Sequence, residues 1–176
     1  MMEHKAFLFD YEDFRGELQP ILEQALISGD VSNLRSFIEL NILELTDPYE
    51  GKPLTSGSSS SIENGDIHEY RDFALTKYYS PQDDRGLGAE WEIIQQLLER
   101  QTARQDSPIL GNALGPRGGE FDPGRMGSYF QSPEQVQSNL KYLRELNKKQ
   151  PEPVLEEAIA MLGEAEKQRK GLYVTF

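Results

Sequence analysis

"GLYVTF", residues 171–176, decides how this chain folds. The run is short and apolar and reads as a strand. Its partner lies at the other end of the chain. "KAFLF" (5–9) is apolar and aromatic and is ended by Asp10, so it reads as a buried strand. Pairing the two makes a small sheet that contains both chain ends, under a helical layer. The predicted fold class is therefore α+β: one domain over 1–176, with about five helices packed on that sheet.

The helices are read from apolar spacing. Phe14, Leu18, Ile21, Leu22, Ala25 and Leu26 recur at helical intervals before Ser28-Gly29. Pro20 limits that helix to about 19–28, because proline is tolerated in a first turn. Asp30 or Ser32 is expected to cap the next helix, striped by Leu34, Phe37, Ile38, Ile42 and Leu45 and stopped by Asp47-Pro48. The short connection between these two predicts an antiparallel pair. "TSGSSSSIENGD" (55–66) reads as a flexible loop. Ile67, Tyr70, Ala74, Leu75 and Tyr78 suit a helix, although "ALTKYY" also suits a strand. Leu87, Trp91, Ile94, Leu97 and Leu98 predict an amphipathic helix ending near Arg104, with Trp91 in the core. "SPEQ" (132–135) offers a capping box to a helix lined by Val136, Leu140 and Leu143. A last helix follows Pro153.

With 37% hydrophobic and 10% aromatic residues, 176 residues suffice for one domain with a real core. There is no cysteine, which removes disulfides, thiolate nucleophiles and cysteine-based zinc sites. No run approaches the ~20 apolar residues of a membrane span. The start, "MMEHKAFLFDYEDF", lacks the basic region and cleavage site of a signal peptide. The chain reads as a soluble, cytoplasmic protein of bacterial type. The net charge is −12, and residues 1–66 hold thirteen acids against Lys5, Arg15, Arg35 and Lys52. Such a surface disfavours nucleic acid and anionic membrane, whose phosphates need Lys and Arg. It suits a basic protein partner.

"GNALGPRGGEFDPGRMGSYF" (111–130) holds six of the fifteen glycines. It contains neither Gly-Lys-Ser/Thr nor G-x-G-x-x-G, so neither phosphate-binding loop is present. Arg117 and Arg125 are its candidate anion contacts, opposed by Glu120 and Asp122, and Tyr129 joins them as a binding candidate. The stretch reads as a turn-rich crossover using glycine for positive φ, entering from "PIL" and delivering "SYF" to Ser132. "FLFDYED" resembles the start of haloacid-dehalogenase-type phosphatases. Asp10 matches the nucleophile, but Glu12 stands where a second Asp belongs and no Asp-Gly-Thr follows. "HEYRD" (68–72) sets His68 and Asp72 one helical turn apart, whereas a zinc protease wants histidine at both places. That segment reads as a solvated helix face. No motif calls for a metal or a cofactor.

From residue 86 the order of features resembles the bacterial YfbM-like family, proteins of unknown function. The resemblance rests on "GLGAEWEIIQQLL", "PILGNALG", "GRMGSYFQSPEQVQSNLKYL" and an apolar C-terminal strand. It covers about half of the chain. Gly111-Asn112 replaces the family's double glycine, and Asp122-Pro123-Gly124-Arg125 stands at its Gly-Pro-x-Arg segment. The resemblance implies an α+β fold and brings no catalytic residues.

The leading expectation is a non-enzymatic interaction protein, immunity- or antitoxin-like, whose acidic N-terminal half covers a basic partner. One alternative is a small hydrolase or phosphoryl-handling enzyme using Asp10, Glu12 or the Arg117/Arg125 loop. Another is a ligand-sensing module with the glycine-rich loop over a pocket.

Overall fold

The computed structural model describes residues 1–54, 67–101 and 106–176, with 67–70 as helix backbone. The order is β1 (Lys5–Phe9), α1 (Tyr11–Glu17), α2 (Gln19–Ser28), α3 (Ser32–Leu40), a 3₁₀ turn (Ile42–Glu44), α4 (Ile67–Leu75) and α5 (Trp91–Glu99). Then follow β2 (Ser128–Gln131), α6 (Pro133–Lys149), α7 (Pro153–Lys167) and β3 (Gly171–Thr175). The Ser/Gly-rich loop expected over 55–66 lies outside the described residues, as does the expected helix end near Arg104. No described helix is long and apolar enough to cross a membrane.

The sheet is antiparallel and ordered β1-β3-β2. β3 is the middle strand: Tyr173 pairs with Phe7 on one side and Phe130 on the other. Side chains alternate across a strand, and the alternation sorts the core into two layers. Ala6, Leu8, Leu172 and Val174 face an aliphatic layer filled by Ile94, Val136, Leu140, Leu143, Leu155 and Leu162. Phe7, Phe9, Phe130 and Tyr173 face an aromatic layer with Phe14, Leu22, Ile38, Leu75 and Phe121. Phe14 stacks on Phe130 at 5.5 Å between centroids and meets Phe9 edge-on at 5.0 Å. The sheet is thus a middle layer with helices on both faces.

The described residues hold seven α-helices where about five were expected. α1 is a separate helix because the backbone breaks at Leu18: Leu18 N–H still bonds Phe14, and Leu18 C=O already accepts from Leu22. Pro20 has no N–H with which to continue α1 into α2. The expected cap of α3 also differs. Asp30 accepts from the backbone and hydroxyl of Ser32, but Val31 holds the cap position without a side-chain bond. The stripe beyond Leu40 continues as a 3₁₀ turn, and α5 starts at Trp91, later than Leu87. Leu87 and Gly88 are instead occupied at the sheet edge. The capping box is present as predicted: Ser132 accepts from the Gln135 N–H and Gln135 from the Ser132 N–H. α6 and α7 form a helical hairpin over the aliphatic face.

A three-stranded sheet has two open edges, and both are covered. Along β1, His4 exchanges backbone bonds with Gly88, Arg85 N–H bonds Ala6 C=O, and Asp84 Oδ1 accepts from Ala6 N–H. Along β2, Asn112 exchanges two bonds with Phe130. "SYF" therefore belongs to a true strand and is more than the expected lead into Ser132. His4 fastens both covers. Its buried ring accepts from Leu87 N–H at Nδ1 and donates from Nε2 to Ile109 C=O. Burial lowers its pKa, and a second ring proton would oppose the Leu87 N–H.

The glycine-rich stretch belongs to this edge cover. Gly111 has φ +113°, and a Cβ there would collide with the Phe130 carbonyl oxygen. Leu114 and Phe121, joined by a 2.7 Å backbone bond, anchor the loop in the aromatic layer. Gly111→Ala is expected to destabilise the protein by about 2–4 kcal/mol, combining the backbone clash with left-handed strain. Gly118→Ala, where open space surrounds the φ +84° residue, costs about 1 kcal/mol. Urea midpoints of the two variants check the difference.

Candidate functional site

α4 docks on the aromatic layer through Ala74 and Leu75, both fully buried. Residues three and four apart share a helix face, so Asp72 is carried inward with Leu75 and Thr76. It is 5% exposed. A sequence that reads as a solvated face at this position therefore buries a carboxyl. The reversal comes from α4 lying against the layer along the face that carries its charge. The His68 side chain lies outside the described residues.

Three phenols surround Asp72. Tyr49 bonds its carboxyl through a side-chain hydrogen bond. Tyr79 and Tyr173 feel its charge, and both phenols are raised, first by burial and then by Asp72. Loss of hydration pushes the Asp72 pKa from 3.8 to about 6; the Tyr49 bond opposes that rise and the charge of Asp47 adds to it. Phe7, Tyr79 and Tyr173 form an aromatic corner, with centroid separations of 4.9, 5.2 and 6.2 Å.

These groups line a cavity of about 170 Å³ at the Thr175 end of the sheet. Phe176 and the Pro123-Gly124 turn of the glycine-rich stretch also line it, together with Lys5 and Asp84. Asp84 Oδ1 is already engaged by the Ala6 and Gly86 N–H groups. The polar groups of the lining are the Asp72 and Asp84 carboxyls, the phenols, Lys5 and Thr175. A buried carboxyl with a raised pKa in an aromatic concavity is the strongest chemical feature of the described residues.

The residues singled out from sequence are not brought together. Asp10 follows Phe9, which registers with Gly171, and its Oδ1 lies 3.5 Å from Lys170 Nζ. Glu12 pairs with Arg15. Arg125 precedes Ser128, which registers with Thr175, at the opposite end of the sheet. Arg117 and Arg125 are exposed and form no ion pair among the described residues. Glu120 and Asp122 instead accept from the N–H groups of Gly118 and Gly127, bracing the turns. Arg125 itself occupies a left-handed turn position at φ +58°. Tyr129 sits on the aliphatic face, folded back against Gly127. Asp10 lines a separate cleft of about 290 Å³ with Lys77, Arg85 and Lys170. Trp91 is partly buried; its indole donates to Met2 C=O, and its ring lies 4.8 Å from Phe176.

Comparison of the chain with family models, curated proteins and solved structures yields no match.

The raised pKa sets a pH test. A folded-state value above the unfolded one means that the folded protein binds the extra proton. The stabilisation is full below about pH 4 and is lost as pH rises through about 6. At about pH 8 the ionised carboxyl is a cost, so Asp72→Asn is expected to stabilise the fold by on the order of 2 kcal/mol, shrinking towards zero below about pH 4. Chemical denaturation of both proteins at the two pH values measures this. The comparison cancels His4, whose lowered pKa acts in the opposite sense: its contribution is present above about pH 6.5 and fades as pH falls.

Proposed function

We propose that the protein is a non-enzymatic interaction protein whose acidic N-terminal half receives a basic protein partner, in the manner of an immunity protein or antitoxin. The carrying observation is the surface at the end of α3. Leu40 and Leu43 are 85% and 94% exposed, and exposed Glu39 and Glu44 flank them. None of the eleven acids in residues 1–54 is buried. Of the cations there, Arg15 and Lys52 are held by their neighbours Glu12 and Glu50. Apolar anchors beside two glutamates, of which Glu44 also meets Lys77 at 3.6 Å, suit a partner that presents apolar side chains beside Lys and Arg.

Asp10 and Arg125 lie at opposite ends of the sheet, so the form of the phosphoryl-handling alternative that joins them in one site gains no support from the geometry. The resemblance to YfbM-like proteins brings no site residues and carries none of this reading.

The test uses a double variant, Leu40→Asp with Leu43→Asp, on exposed positions where the fold is expected to persist. A basic partner is expected to bind the parent protein, to weaken at least tenfold when salt rises from about 0.05 to about 0.5 M, and to be lost with the variant. Calorimetry against partners recovered at low salt measures all three. Binding that ignores both salt and the double substitution would sink the reading.

A further inference from the structure

We propose that the cavity at the Thr175 end of the sheet binds an organic cation, a primary ammonium or guanidinium head on a short aliphatic stem. Three observations converge. The lining is aromatic: Phe7, Tyr49, Tyr79 and Tyr173. Ring faces and phenol oxygens are both electron-rich and attract positive charge, more strongly where water is excluded. Among the described residues Asp72 is the one strongly buried acid, and it lines the same cavity, so a counter-charge is built in. The volume of about 170 Å³ is several times the ~30 Å³ share of a water molecule, which admits a head group and a few methylenes.

The charged groups around Asp72 decide the sign. Lys5 on β1 lines the rim and repels a cation, while Asp84 beside it attracts one. Asp47, before Tyr49, adds negative charge to the site. Tyr79 and Tyr173 stay neutral because burial raises their phenols. Lys5, Asp84 and Asp47 leave one negative charge when Asp72 is protonated, and its ionisation doubles that charge. A cation therefore binds best above the Asp72 transition, and its arrival favours the ionised carboxylate.

Two sources carry such a head: a free amine, and a lysine or arginine side chain of a partner. Only the second rests on the basic-partner reading. Calorimetric or NMR titration of the full chain with n-butylammonium, with a blocked Gly-Lys-Gly peptide, and with 1-butanol as the neutral isostere separates the sources. At about pH 8 the amine, the peptide or both bind saturably and butanol does not. At about pH 5 the affinity falls about tenfold as Asp72 takes up its proton. Asp72→Asn abolishes the pH dependence and weakens binding at least tenfold. Tyr49→Ala, at a residue 66% exposed, weakens it several-fold. Lys5→Gln tightens it a few-fold. Equal binding of butanol, undiminished binding by Asp72→Asn, loss of binding with Lys5→Gln, or no binding of either cation overturns the proposal. The Leu40/Leu43 variant leaves butylammonium binding unchanged, so the pocket and the acidic surface fail or stand separately.

Discussion

β3 has a neighbour on each side, and the rest of the fold follows from that position. Because Tyr173 lies between Phe7 and Phe130, the aromatic side chains of three strands meet on one face. The alternate residues, Leu172 and Val174, then face the other way and need an aliphatic cover, which the α6–α7 hairpin supplies. A small sheet placed between two helical layers leaves only its edges open. Those edges are closed by irregular segments at 84–88 and at Asn112, so neither offers a free ladder to another chain. His4 ties these covers together, accepting from Leu87 and donating to Ile109.

Closing the edges also makes the cavity. The 84–88 cover brings Asp84 beside Lys5, and the glycine-rich cover of β2 swings its Pro123-Gly124 turn across the Thr175 end. α4 then places Asp72 under that roof. The glycine-rich stretch thus serves two levels of the structure at once. Gly111 permits a backbone approach to Phe130 that a side chain would prevent, and the turns further along wall the pocket. Its arginines point to solvent while its acids brace backbone amides, which is the reverse of a phosphate-binding loop.

Much of this was legible in the residues. The strands "KAFLF" and "GLYVTF", the helix over 19–28, the capping box at Ser132 and the last helix after Pro153 all carry local signals, apolar period or cap chemistry. The features that escaped are tertiary. "SYFQ" is a four-residue strand between Gly127 and Ser132, too short for a period to declare itself. α1 is a seven-residue helix whose separation from α2 depends on a missing N–H at Pro20. Asp72 stands next to Arg71 in a polar segment, and that composition assigns it to solvent. The relevant signal was its spacing to Leu75 and Thr76, which places it on the docked face, but only the packing of α4 decides which face docks.

Asp72 is a poor choice for a position whose task is packing. An ionised carboxyl held out of water costs stability near neutral pH, and an asparagine of the same shape keeps the hydrogen bond without the charge. Around it the aromatic layer is well satisfied, with Phe14, Phe121 and Tyr173 almost completely buried and in mutual contact through Phe130. The cost is therefore local to one side chain that faces a cavity. A positive group entering that cavity would meet a carboxylate already stripped of water and would recover the desolvation that the folded chain sustains alone. The surface of residues 1–54, with no acid buried, adds a long-range field of the same sign. On the proposed reading, surface and cavity differ in range, one steering and the other anchoring, and both would select for positive charge.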